Sequence, residues 1–201
     1  MPAQYRSAQK IRMEIAQVAA RMIAVDGIND YFAAKKKAAV QLGVTPGKNL
    51  PTNSEIEKAL LDYQSLFQTD SQPHQLRRLR CIALDAMRFL QDFSPLLAGP
   101  VLSGSATLHS EICLHLFSDE SERVGFLLEE NGIPYRLLSR SLRKTLHDYA
   151  EYPACHFLLK DTPLTLIILP EIHIRSAILS PVDGKPMKRA NLKELERMLA
   201  A

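Results

Sequence analysis

Apolar positions in the first half of the chain recur every three to four residues; in the second half they form short runs separated by turns. Ile11, Ile15, Val18 and Met22 mark one face of a first helix, with Lys10, Arg12, Glu14 and Arg21 around it and Gly27 as its stop. A second helix is expected over residues 29–42, ending at Gly43, and residues 45–51 read as a Pro- and Gly-containing loop. Ser54 and Glu57 have capping-box spacing before a third helix whose apolar face is Ile56, Leu60, Leu61 and Phe67. After a polar break at 68–73, a fourth helix over 74–93 turns Leu76, Leu79, Ala83, Met87 and Leu90 inward.

The pattern changes at 94–100. Residues 101–103 read as a brief strand, 111–117 as an alternating strand and 119–131 as a helix stopped by Gly132. A strand at 133–138, a basic helix or loop at 141–149, and strands at 156–159 and 164–169 joined by a tight Asp161-Thr-Pro connection follow. Residues 171–179 read as extended and 192–199 as a final amphipathic helix. The predicted class is α+β: a helical region of about four helices over 1–93, then a mixed sheet flanked by helices over 94–201.

Composition narrows the function classes modestly. Of 201 residues, 46% are hydrophobic, enough for a sizeable core, and the formal net charge of +3 is too small to require a polyanionic partner. Residues 1–99 carry 13 Lys and Arg against 9 Asp and Glu, whereas 100–201 carry 12 against 13, so the helical half is the mildly basic one. Cys81, Cys113 and Cys155 are odd in number and widely spaced, which matches reduced thiols rather than a disulfide framework or a CxxC metal motif. The absence of a signal-like apolar segment near the N-terminus, and of any apolar run of about 20 residues, leads to an expected cytoplasmic location without a membrane partner.

Candidate chemistry concentrates in Gly104–His115. A Gly104-Ser105 turn brings backbone N–H groups towards a phosphate, because glycine permits close approach. On the strand that follows, alternation places Glu111, Cys113 and His115 on one face and Ile112, Leu114 and Leu116 on the other. A carboxylate and an imidazole there could hold a cation, and equally a solvated face would show the same alternation. Glu171, His173 and Arg175 alternate in the same way; if their strand adjoins the first, Glu171 and His173 join Glu111 and His115 in a set that suits zinc. Arg136, Arg140, Arg143 and Lys144 form a basic run able to meet phosphates or to remain solvated.

The stretch from Pro100 to Phe117 resembles the signature of the nucleotidyltransferase superfamily, the polymerase-beta-like fold, in which a Gly-Ser turn precedes a strand carrying two metal-binding acids. The resemblance covers roughly residues 95–170 and is carried by Gly104, Ser105 and Ser110-Glu111-Ile112. It implies a nucleotide or nucleic-acid-related ligand held by Gly104 and Ser105, and a divalent cation, Mg²⁺ or Mn²⁺ ahead of Zn²⁺, on Glu111 as the catalytic carboxylate. From the residue pattern itself, Arg143 and Lys144 are added as nucleotide-binding candidates, and His115, Glu171 and His173 as further metal ligands. Cys113 stands at the second acid position and no acid lies within 164–169, so the transferase activity implied is an impaired one.

Two other classes stay open. Ala19–Ile28 and Ala38–Val44 resemble the first helices of a TetR-type helix-turn-helix regulator, but a loop rather than a recognition helix follows Val44, and the next helix carries Glu55, Glu57 and Asp62. A non-catalytic interaction protein, dimeric through its helical region, is the remaining expectation.

Overall fold

The computed structural model describes residues 3–45, 47, 49–145, 148–176 and 178–200. Pro46 and Lys48 of the expected loop, Leu146 and His147 of the expected basic segment, and Ala177 of the expected extended stretch lie outside the described residues. The chain is mixed α+β, with N-terminal helices and a five-stranded mixed sheet, and divides into two compact units. One comprises residues 1–75 with 105–110, the other residues 76–104 with 111–201.

The first unit is built on α1 (Ala3–Asp26), α2 (Tyr31–Gln41) and α3 (Asn53–Phe67). Ala16, Ala19, Ala20 and Ala24 of α1 and Ala34, Ala38 and Ala39 of α2 are buried together with Ile15, Ile56 and Leu60. Side chains this small allow close helix approach. The cap of α3 differs from the sequence expectation. The capping box is Thr52 with Glu55, not Ser54 with Glu57. Thr52 is the last extended residue (ψ 161°), so its hydroxyl accepts from Glu55 N–H at 3.2 Å and the Glu55 carboxylate accepts from Thr52 N–H at 2.6 Å. Ser54 already lies inside the first turn. Arg12 donates to the same carboxylate through Nε and Nη2, tying α1 to α3.

Segment 105–110 completes this unit. Buried Gln64 donates from Nε2 to the carbonyls of Ser105 (3.3 Å) and Ala106 (3.0 Å), and Asn29 donates to the carbonyl of His109 (3.1 Å).

The second unit contains the greater part of α4 (Ser71–Phe89), then β1 (Leu96–Ala98), α5 (Pro100–Ser103), β2 (Ile112–Phe117), α6 (Glu122–Glu130), β3 (Arg136–Arg143), β4 (Tyr149–Leu159), β5 (Thr162–Leu169) and α7 (Leu192–Ala200). The strand order is β1-β2-β5-β4-β3, with β2 parallel to β5 and the other pairs antiparallel. Residues 101–103, expected as a strand, are helical. The strand lies earlier, and Gly99 (φ 74°) makes the turn after it. Pro100 at the first helical position has its φ preset and lacks only an N–H that a first turn leaves unused. β3 runs on to Arg143, where a basic helix or loop was expected from 141. Residues 171–174 form a 3₁₀ turn after Pro170 rather than the start of an extended stretch.

Register fixes the faces of the sheet. Cys113, Thr165, His156 and Arg136 are successive cross-strand partners, as are His115, Ile167, Ala154 and Leu138, so all eight side chains share one face. Phe117, Tyr152, Ala154, Ile167 and Leu169 of that face pack with Ile178. Ile112, Leu114, Leu116, Leu164, Leu166 and Ile168 are buried on the other. The central strands β2 and β5 are therefore covered on both sides.

Candidate functional site

Glu111 enters β2 on the first of these faces and is the centre of a polar cluster. Arg140 Nη2 donates to its Oε1 at 3.2 Å and its Oε2 at 3.4 Å. The Thr165 hydroxyl donates to Oε2 at 2.8 Å. His156 Nδ1 lies 3.0 Å from that hydroxyl and 3.8 Å from the carboxylate. Because the hydroxyl hydrogen is directed at Glu111, His156 Nδ1–H donates to the Thr165 oxygen. Arg140, Glu111 and His156 keep 40%, 37% and 30% of their side-chain exposure, so the cluster is reachable from solvent.

Beneath it lies Cys113. Burial, reinforced by the Glu111 charge, pushes its thiol up to about 12, so it stays protonated at neutral pH. The strand-ending glycine beside Cys113 is Gly99, whose missing Cβ would sit 3.8 Å from Cys113 Cβ. The positive φ favours glycine there, whereas that distance is ordinary contact that a Cβ would tolerate.

The other expected residues are placed elsewhere. Gly104 (φ 94°) caps α5 through its N–H to the Pro100 carbonyl, and Ser105 begins the segment held in the helical unit, with its hydroxyl donating to Glu57 at 3.3 Å. The turn after the strand is thus Gly99, not Gly104-Ser105. Arg143 donates from Nε to the Thr145 carbonyl at the far end of β3, and Lys144 is exposed beside it.

His115 is on the same face as Glu111 but four residues on, about 13 Å along an extended strand. It is 1% exposed and, among the described residues, its Nδ1 has no hydrogen-bond partner. Burial, and then the Arg189 charge, lower it to about 4, so the ring is neutral. Glu171 and His173, in the 3₁₀ turn, do not alternate alongside Glu111. Glu171 is exposed, and His173 contacts the Tyr152 hydroxyl (3.3 Å) and Ser176 Oγ (2.9 Å). Arg189 donates to the carbonyls of His173 and Ile174, both at 3.0 Å. Burial, then Lys144 and Arg189, lower the His173 pKa.

The donors at Glu111 do not make an oxygen cage of the kind a hard divalent cation requires. One carboxylate is already engaged, one thiol is protonated and one hydroxyl points at the carboxylate. Among the described residues no group of three or more His, Cys, Asp or Glu is arranged to hold a metal ion. A groove of about 340 Å³ lies on the α6 side of the sheet, lined by Gly125, Phe126, Tyr135, Leu137 and Cys155, away from Glu111.

Sequence reasoning named Arg140 only as one of a basic run, and missed Thr165 and His156 as partners of Glu111. Thr165 left a trace, as the one polar residue in an otherwise aliphatic run from Leu164 to Leu169. Among the described residues no helix is long and apolar enough to cross a membrane. No family model matches the chain, and no curated protein matches it.

Proposed function

We propose that the chain is a nucleotidyltransferase-like protein that binds a nucleotide-bearing ligand beside Glu111 and does not carry out metal-dependent nucleotidyl transfer. The observation that carries this reading is the closure of the Glu111 carboxylate by the Arg140 guanidinium and the Thr165 hydroxyl. A fixed side-chain cation stands at the carboxylate from which a metal would be held.

Three features support the ligand. A strand and a glycine turn precede the Glu111 strand, although the turn is made by Gly99 rather than by Gly104-Ser105. Arg140 sets a guanidinium group and His156 an imidazole beside one carboxylate, donors of the kind that meet phosphate oxygens. The partial exposure of Arg140, Glu111 and His156 leaves the cluster open to a ligand from solvent. Cys113 and Thr165, at positions where further acids would be needed, support the loss of transfer.

The test is a thermal-shift panel of nucleoside triphosphates and a short oligonucleotide, each with EDTA and with Mg²⁺, beside a radiolabel transfer assay. The reading expects a ligand-dependent rise in melting temperature that survives EDTA and is lost in Arg140→Met, with no incorporation of label. A flat panel rejects the ligand; Mg²⁺-dependent incorporation abolished by Glu111→Ala rejects the inactive site.

A further inference from the structure

After the 3₁₀ turn the chain returns to the sheet face that carries Glu111, where Ile178 packs with Phe117, Tyr152 and Leu169. Backbone bonds tie this stretch to the end of β3. Leu179 N–H donates to the Arg143 carbonyl and Ser180 N–H to the Lys185 carbonyl, both at 2.8 Å, and Met187 N–H to the Ile178 carbonyl at 2.7 Å. Arg189 then holds the carbonyls of His173 and Ile174. Positive charge is concentrated on these elements. Residues 143–149 and 171–190 carry six Lys and Arg against three Asp and Glu, whereas the rest of 100–201 carries six against ten. Lys144, Arg175, Lys185 and Lys188 are exposed, and among the described residues none of the four forms an ion pair.

We infer that this surface carries the backbone of a single-stranded nucleic acid whose bound nucleotide lies beside Glu111; the inference rests on the ligand reading proposed above. Distance selects a polymer over a mononucleotide. Arg189 stands over the Phe117 ring at 5.5 Å, and Phe117 is six residues on from Glu111, about 20 Å along an extended strand. At roughly 3.4 Å per stacked nucleotide that is on the order of six nucleotides, beyond the phosphates of one. Arg140 joins the two ends. On β3 it pairs with Tyr152, whose hydroxyl contacts His173, while its guanidinium reaches Glu111. Charge alone would serve any polyanion, but an aromatic ring stands among these cations. Tyr149 is 61% exposed and is the register partner of Arg143, a platform on which a base can stack.

The experiment is fluorescence anisotropy of the full chain with a labelled single strand of about twelve nucleotides and with a labelled nucleoside triphosphate, between about 50 and 200 mM salt. Arg175→Ala, Lys185→Ala and Lys188→Ala combined in one chain weaken the oligonucleotide and leave the triphosphate unchanged. At roughly 0.7 per lost phosphate contact, they also flatten the slope of log affinity against log salt by about 2. Tyr149→Ala weakens the oligonucleotide about tenfold and leaves that slope unchanged. Far-ultraviolet circular dichroism checks each fold. An oligonucleotide that binds no more tightly than the triphosphate, with a slope indifferent to the triple variant, overturns the inference and leaves the Glu111 reading standing. Oligonucleotide binding that Arg140→Met does not weaken, in a chain that ignores the triphosphate, overturns both. Binding to phosphatidylserine vesicles without binding to the oligonucleotide overturns the inference by giving the surface to a membrane.

Discussion

Arg140 on the edge strand and Glu111 at the entrance to β2 are bonded at 3.2 Å although β4 and β5 lie between their strands. By register Arg140 is level with Phe117, six residues along β2 from Glu111. A flat sheet would part the two by about 14 Å across the strands and about 20 Å along them, so the sheet must curl towards this face. With both side chains over a third exposed, the pair itself adds only about 0.5–1 kcal/mol. A double-mutant cycle with Arg140→Met and Glu111→Gln in urea denaturation should return a coupling of that size. A coupling of several kcal/mol would mean that the pair is far better shielded than its exposure indicates.

His115 makes acid stability predictable in sign. Its folded pKa is about 4, below the ordinary value of 6.5, so the unfolded chain takes up the proton first as pH falls. Stability should be flat above pH 6.5, fall between 6.5 and 4, and lose about 3 kcal/mol from this residue by the lower limit. His115→Leu should remove most of that slope in urea midpoints measured across the range.

Thiol reactivity should single out Cys81. Cys81 is exposed, whereas burial raises Cys113 to about 12 and Cys155 to about 11. Titration with a thiol-specific reagent at about pH 8 should modify one cysteine quickly in native protein and all three after denaturation. Cys81→Ser should leave none that react quickly.

The α3 cap depends on the Thr52 hydroxyl. Thr52→Ala removes the side-chain bond to Glu55 N–H and should cost about 1 kcal/mol, whereas Thr52→Ser, which keeps the hydroxyl, should cost much less. Thermal denaturation of the two variants measures the difference directly.

Elements with one dry and one wet face were readable in the sequence: α1 to α3, α6 and α7 by their periodicity, and β2 and β5 by their aliphatic runs. β3 was only partly readable, because Arg136–Ser139 are exposed on both faces and give no alternation. The same rule misassigned His115. Alternation marks polar residues as outward, but β2 is a central strand covered on both sides, so that ring is buried. At the candidate site Glu111 was legible, while Arg140, Thr165 and His156 became its partners through the register and curl of four strands, which no local pattern encodes.

Segment 105–110 has a consequence for synthesis. Residues 1–75 emerge from the ribosome first, yet Gln64 and Asn29 bond carbonyls that arrive some thirty residues later than Gln75. The buried amide of Gln64 lacks these native acceptors until that stretch has been made. The helical unit therefore finishes folding only after β1 and α5 have left the exit tunnel, and a fragment cut at residue 75 would keep its helices but lack the strap that closes them.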